Sequence, residues 1–140
     1  MTFQTEQFPY VSRDPALGNA SLAPMLPLTL VGHQSTSTSA LVDSGAAINV
    51  LPYSLGLQLG FDWDQQTKVV DLSGNLASFE ARVIIVSGVV GNFAPVRLAF
   101  AWAKTDRLSV ILGQVNFFLE FEVCFFRAEE LFDVRPRRSP

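Results

Sequence analysis

The 140 residues specify an all-β domain, a small closed, barrel-like arrangement of short strands with one or two short helices. Three observations predict it. Short apolar runs alternate with Gly-, Pro-, Ser- and Asn-rich turns along the chain. Apolar residues make up 49% against 16% charged, enough to build a packed interior at 15.4 kDa. Twelve Phe suit a pleated, buried surface, and no heptad pattern or internal repeat competes with that assignment.

Residues 1–21 are polar and punctuated by Pro and Gly, which reads as an N-terminal arm or a loose leader before a domain spanning 22–135 and a tail at 136–140. Pro24 to Val31 reads as a strand stopped by the turn Gly32-His33-Gln34-Ser35, and Thr36 to Val42 as its hairpin partner. Pro27 cannot donate to a ladder on both sides and belongs at an edge of that hairpin. Val50 to Gly60 is ambiguous, with Pro52 near its start and Gly60 after its last apolar residue favouring a short helix. Lys68–Leu72 and Leu76–Val86 flank Ser73-Gly74-Asn75, a hairpin signal. Phe93 to Ala101 alternates Val96, Leu98 and Phe100 with Arg97 and Ala99, another strand. Ser109 to Gly113 is an apolar strand ending in glycine, followed by one or two helical turns over Gln114–Leu119. Phe121–Phe126 and Leu131–Arg135 close the domain as a hairpin around Arg127-Ala128-Glu129-Glu130.

One carboxylate stands out. Asp43 lies at the end of a strand-like run, preceded by Ala40-Leu41-Val42 and followed by Ser44-Gly45-Ala46-Ala47-Ile48. Burying a charge costs several kcal/mol unless something compensates, so an Asp in apolar company has a task or a dedicated partner. By itself Asp-Ser-Gly is also a common turn sequence. About seventy residues later comes Val110-Ile111-Leu112-Gly113, a second apolar segment ending in glycine. The residue order Asp-Ser-Gly-Ala, hairpin, apolar-apolar-Gly, short helix resembles the retropepsin-like aspartic proteases over roughly residues 22 to 135. It is nearer to cellular or bacterial members than to viral ones.

The resemblance implies a retropepsin fold with a flap hairpin and a two-fold homodimer, acting as an aspartic endopeptidase on extended polypeptides. Aspartic proteolysis needs two carboxylates sharing one proton, one drawing a proton from water and the other supplying one to the carbonyl. The chain holds a single Asp-Ser-Gly, so the dyad would be Asp43 facing its own copy across the axis. By the same resemblance, Ser44 holds the two loops together and Gly45 supports the loop. Ala46, Ala47 and Ile48 border the bound peptide. Ser73, Gly74 and Asn75 form the flap tip and offer backbone hydrogen bonds, a form of strand addition. Leu72, Leu76 and Ile111 wall apolar pockets, while Leu112 and Gly113 form the second glycine segment that the active-site loop crosses. The Phe-rich C-terminal hairpin is expected in the dimer sheet. Viral members carry an acidic residue two positions after the glycine of the triad and an Arg after the second glycine, joined as an ion pair. Here Ala47 and Gln114 stand there, so both charges are missing together and none is left stranded.

Other chemistries find little support. His33, the only histidine, lies in a polar turn and reads as a solvent-exposed residue. No Gly-x-Ser-x-Gly elbow and no phosphate-binding glycine loop is present. One His and one Cys cannot make a usual zinc site, so no metal and no cofactor are expected. Asp62, Asp64, Asp71, Asp106, Glu120 and Glu122 sit in polar or alternating contexts and read as solvated residues. Cys124 excludes an intramolecular disulfide and reads as a buried, inert thiol. A net charge of −3 argues against nucleic acid as partner, and Arg135-Pro136-Arg137-Arg138 reads as a solvated tail. The region 83–103 is too interrupted to span a bilayer, the N-terminus has no secretory pattern, and a cytoplasmic, membrane-free protein is the expectation. Two rival readings remain: a dimeric module of the same fold that binds peptides without cutting them, and a monomeric β-barrel whose Asp-Ser-Gly is a plain turn.

Overall fold

The computed structural model describes residues 4–138. Its first strands, β1 (Glu6–Pro9), β2 (Val11–Ser12) and β3 (Leu22–Ala23), surround a 3₁₀ segment at Pro15–Ser21 that Asp14 caps through its side chain. Then come β4 (Met25–Val31), β5 (Ser35–Val42), β6 (Asn49–Leu51), the helix α1 (Tyr53–Gln58), β7 (Ala81–Val89), β8 (Val96–Ala103) and β9 (Val110–Leu112). The chain ends with the helical turn α2 (Phe117–Glu120), β10 (Phe121–Phe126) and β11 (Leu131–Pro136).

Six strands close a barrel in the order β4-β5-β9-β6-β8-β7. Alternation explains its filling: Leu26, Leu28 and Leu30 of β4 point inward, as do Ile84 and Val86 of β7 and Leu98 and Phe100 of β8. Each buried aliphatic or aromatic side chain contributes about 1.5–3 kcal/mol by leaving water. Pro27 is exposed and pairs only with Ser39, since β7 joins β4 from Thr29 onward, so its missing donor faces no strand. The ambiguous 50–60 segment divides: Val50 and Leu51 belong to β6, and the helix begins after Pro52 as its N-cap. Gly60, at φ +88, ends it in the left-handed region. Gly56 lets α1 sit directly on Trp102, where a Cβ would overlap the indole. Tyr53 and Trp63 complete that aromatic cluster at ring separations of 5.6 and 5.1 Å from Trp102.

Within the N-terminal arm, Glu6–Pro9 is tied to the end of the chain. β1 pairs antiparallel with β11, Glu6 opposite Val134, in a three-stranded sheet ordered β1-β11-β10. Phe8 and Tyr10 lay their rings against the fully buried Phe132, and Glu6 accepts a hydrogen bond from the Asn92 backbone at 2.8 Å. The C-terminal hairpin has the expected register, Phe126 opposite Leu131, with Glu130 left-handed in the turn. Cys124 departs from its expected burial: on the edge strand β10 it is exposed, together with Phe125 and Phe126. The hairpin around Ser73-Gly74-Asn75 is narrower in its pairing than expected. Only 68–70 ladder with 81–83, through Val69 opposite Arg82 and two backbone bonds, and residues 71–80 form a long tip with a 3₁₀ turn at Gly74–Leu76. No helix among the described residues is long and apolar enough to cross a membrane.

Candidate active site

The path of the chain around β9 builds the site. β5 runs parallel to β9, with Val42 opposite Leu112, while β6 lies on the other side of β9, with Val50 opposite Ile111. To pass from one side to the other, residues 43–48 must arch over the end of β9, where Gly113 lies. A Cβ at Gly113 would overlap the backbone carbonyl of Ile48 and press on that of Ala46, so only glycine fits beneath the arch. Asp43 therefore sits at a fixed point. Its amide donates to the Leu112 carbonyl at 3.0 Å, and its Oδ1 accepts from the Gly45 amide at 2.9 Å.

The arch is tied to the second segment by neutral groups. Gln114 Nε2 donates to the Ser44 carbonyl at 2.7 Å. The amides of Gln114 and Val115 donate to the carbonyls of Ala46 and Ala47, both at 2.9 Å. Gln114 thus braces the loop by an amide contact where the viral pattern has an ion pair. Beneath it, Asn49 is completely buried and fully used. Its Oδ1 accepts from the Gly113 amide at 2.8 Å, and its Nδ2 donates to the Ala99 carbonyl and to Asn116 Oδ1. Asn116 in turn accepts from the Ala99 amide and donates to the Arg97 carbonyl. Two asparagines thereby join β6, β8 and the end of β9 into one unit. Neither was singled out in the sequence, yet Asn49 lies between Ile48 and Val50, an apolar setting like that of Asp43.

Asp43 is half-buried and faces a cleft of about 450 Å³. From the arch the cleft is lined by Gly45, Ala46, Ala47 and Ile48. From the hairpin tip come Leu72, Ser73, Asn75 and Leu76, and from β9 comes Ile111. Four of the other expected positions lie beside this wall and not in it. Ser44 is exposed on the arch, Gly74 is the turn of the tip at φ +63, and Leu112 and Gly113 are buried beneath. The Ser44 hydroxyl makes no hydrogen bond to the described residues. Val50, Val70 and Asp71 line the cleft as well and were not expected there. Asp71 is exposed, as expected of a solvated residue, and lies on the wall of the same cleft as Asp43.

Elsewhere the polar residues have structural tasks. His33 is exposed and packs on Phe61 at 5.1 Å between ring centroids. Asp62 caps a short 3₁₀ turn, and Asp106 accepts from the Ser54 amide at the start of α1. Glu120 and Glu122 pair with the C-terminal arginines, so that tail is partly engaged with the domain. No group of three or more potential metal ligands occurs among the described residues.

Comparison with known proteins bears on the fold. No family model matches the sequence, and no curated protein does. Among solved structures, the chain is similar to a retropepsin-like aspartic protease from Rickettsia conorii, with a TM-score of 0.62 at 14% identity over 97% of this chain and 95% of that one. It is also similar to the retroviral protease-like domain of Ddi1 from Leishmania major, with a TM-score of 0.51 at 16% identity over 71% of this chain and 80% of that one. The chain has the retropepsin-like fold.

Proposed function

We propose that this chain is an aspartic endopeptidase acting as a two-fold homodimer, with one Asp43 supplied by each copy. The observation that carries the reading is Asp43 itself. In a retropepsin-like fold, a half-buried carboxylate sits on a locked arch at the mouth of an apolar cleft, without a cationic partner among the described residues. One such group cannot perform the reaction, because the chemistry needs a proton donor and a proton acceptor at the same bond. A second copy related by a two-fold axis supplies the missing one.

In this mechanism the unprotonated Asp43 takes a proton from a water molecule as its oxygen adds to the scissile carbonyl carbon. The protonated Asp43 of the other copy gives its proton to the carbonyl oxygen, which yields a neutral gem-diol. Collapse of the diol breaks the C–N bond, a proton passes to the nitrogen, and amine and acid products leave. Neither metal nor covalent acyl intermediate enters. Ser44, whose hydroxyl is free of intrachain bonds among the described residues, links the two arches across the axis. The hairpin tip at 73–75 covers an extended substrate and bonds to its backbone. Ile48, Leu72, Leu76 and Ile111 favour apolar side chains beside the cut.

The deciding experiment digests a denatured protein mixture from about pH 4 to 7 with the wild-type chain and with Asp43→Asn. Cleavage between apolar residues by the wild type alone supports the reading. Equal cleavage by both chains overturns it, and a dimer that cuts nothing moves the function to peptide binding without hydrolysis.

A further inference from the structure

We propose that Asp71 makes this cleft select substrates carrying a basic side chain near the cleaved bond, an inference that rests on the peptidase reading above. Asp71 lines the same cleft as Asp43. The rest of that wall is apolar or neutral, with Ser73 and Asn75 its only uncharged polar side chains and no Lys, Arg or His among its residues. A half-enclosed cleft with low-dielectric walls and charges of one sign focuses its field on whatever enters.

Asp71 is also uncommitted. It is exposed and forms no hydrogen bond or ion pair among the described residues. One cation, Arg82, borders an adjoining hollow that Asp71 shares. Arg82 is engaged elsewhere: its Nη1 donates to the Trp63 carbonyl at 2.7 Å, and its guanidinium lies 4.6 Å from the centre of the Trp63 ring. Glu80, on the same hollow, adds a second negative charge. A Lys or Arg side chain suits this wall at both ends, since its aliphatic stem can lie along Leu72 and Leu76 while its charged head reaches Asp71. In a two-fold dimer one Asp71 flanks each half of the cleft, so a basic residue is read on either side of the cut.

The test measures kcat/KM for peptides identical except for Lys, norleucine or Glu at each of the three positions on either side of the cut. The enzymes are the full chain as wild type, Asp71→Asn and Asp71→Lys. At the responsive positions the wild type should favour Lys over Glu by about tenfold, the scale of one charge pair in a partly solvated cleft. The ratio should approach unity in Asp71→Asn, invert in Asp71→Lys, and shrink as salt is raised. Each ratio is taken within one variant, so a general loss of activity does not imitate the effect. Wild-type cleavage with the same Lys/Glu ratio in all three chains overturns the inference and leaves the peptidase reading intact. If the wild type cuts none of the peptides, the peptidase reading falls instead, and their binding, read by fluorescence anisotropy, decides the role of Asp71. A Lys preference lost in Asp71→Asn supports it there, and an equal preference in both chains overturns it.

Discussion

Asp43→Asn replaces one carboxylate oxygen by an amide group and can keep the bond from the Gly45 amide through its remaining oxygen. Cleavage should therefore fall by a factor of about 10³ or more while Tm moves by no more than about 2 °C, as seen by calorimetry beside a peptide assay. Asn49→Leu should behave in the opposite way. It preserves bulk but orphans the buried Gly113 amide and the Ala99 carbonyl, at a cost of about 2–4 kcal/mol in urea unfolding. These two residues show what sequence reveals at this scale. An acid between apolar neighbours, followed by Ser-Gly, draws attention because its chemistry is familiar. Asn49 carries the same local signal, a polar group among Ile48, Val50 and Leu51, but its partners at 99, 113 and 116 are distant in sequence. Asp71 was hidden for another reason: although Val70 and Leu72 flank it, the Ser73-Gly74-Asn75 turn that follows suggests solvent, and only the folded chain places it on the same cleft as Asp43.

At the level of elements, the hairpin tip 71–79 is held by short-range bonds of its own, Leu76 to Ser73, Ala77 to Gly74 and Phe79 to Leu76, while Glu80 at its base accepts from the Lys104 amide. Its amides should exchange with deuterium faster than those of the β7–β8 ladder and slow measurably when an uncleavable peptide fills the cleft; unchanged exchange would remove the tip from substrate binding. The N-terminal strand makes the contrary prediction. Deleting residues 1–9 strips the Phe8 ring from Phe132 and removes the Glu6 contact to Asn92, and should lower Tm by several degrees, about 2–4 °C per kcal/mol lost for a domain near this size. Local pattern found most strands because alternation is a local property. It missed β1, whose partner β11 lies more than 120 residues away, as the bond from Gln7 to Asp133 records. It also misjudged Cys124, because alternation cannot say whether a strand's second face is covered, and β10 stands at a sheet edge.

At the level of the whole molecule, the proposed dyad makes activity a property of pairs. Equal amounts of wild type and Asp43→Asn, allowed to exchange subunits, leave about one quarter of the pairs with two Asp43 groups. Activity per wild-type chain should fall to about half, whereas a site contained in one copy would keep all of it; sedimentation should show the pair directly. The closed barrel, the arch and Gly113 followed from sequence order, but a two-fold partner leaves no trace in the pattern of one chain beyond the single Asp-Ser-Gly. The neutral brace between arch and second segment has its own consequence. Asp43 to Leu112, Gln114 to Ser44 and to Ala46, Val115 to Ala47 and Gly113 to Asn49 all run from amide donors to amide oxygens. None of these ties gains or loses a proton on acidification, so the scaffold that aims the carboxylate keeps its shape while the medium changes. An acid limb in the rate profile would then report proton bookkeeping at the reacting bond, uncontaminated by loosening of the frame around it.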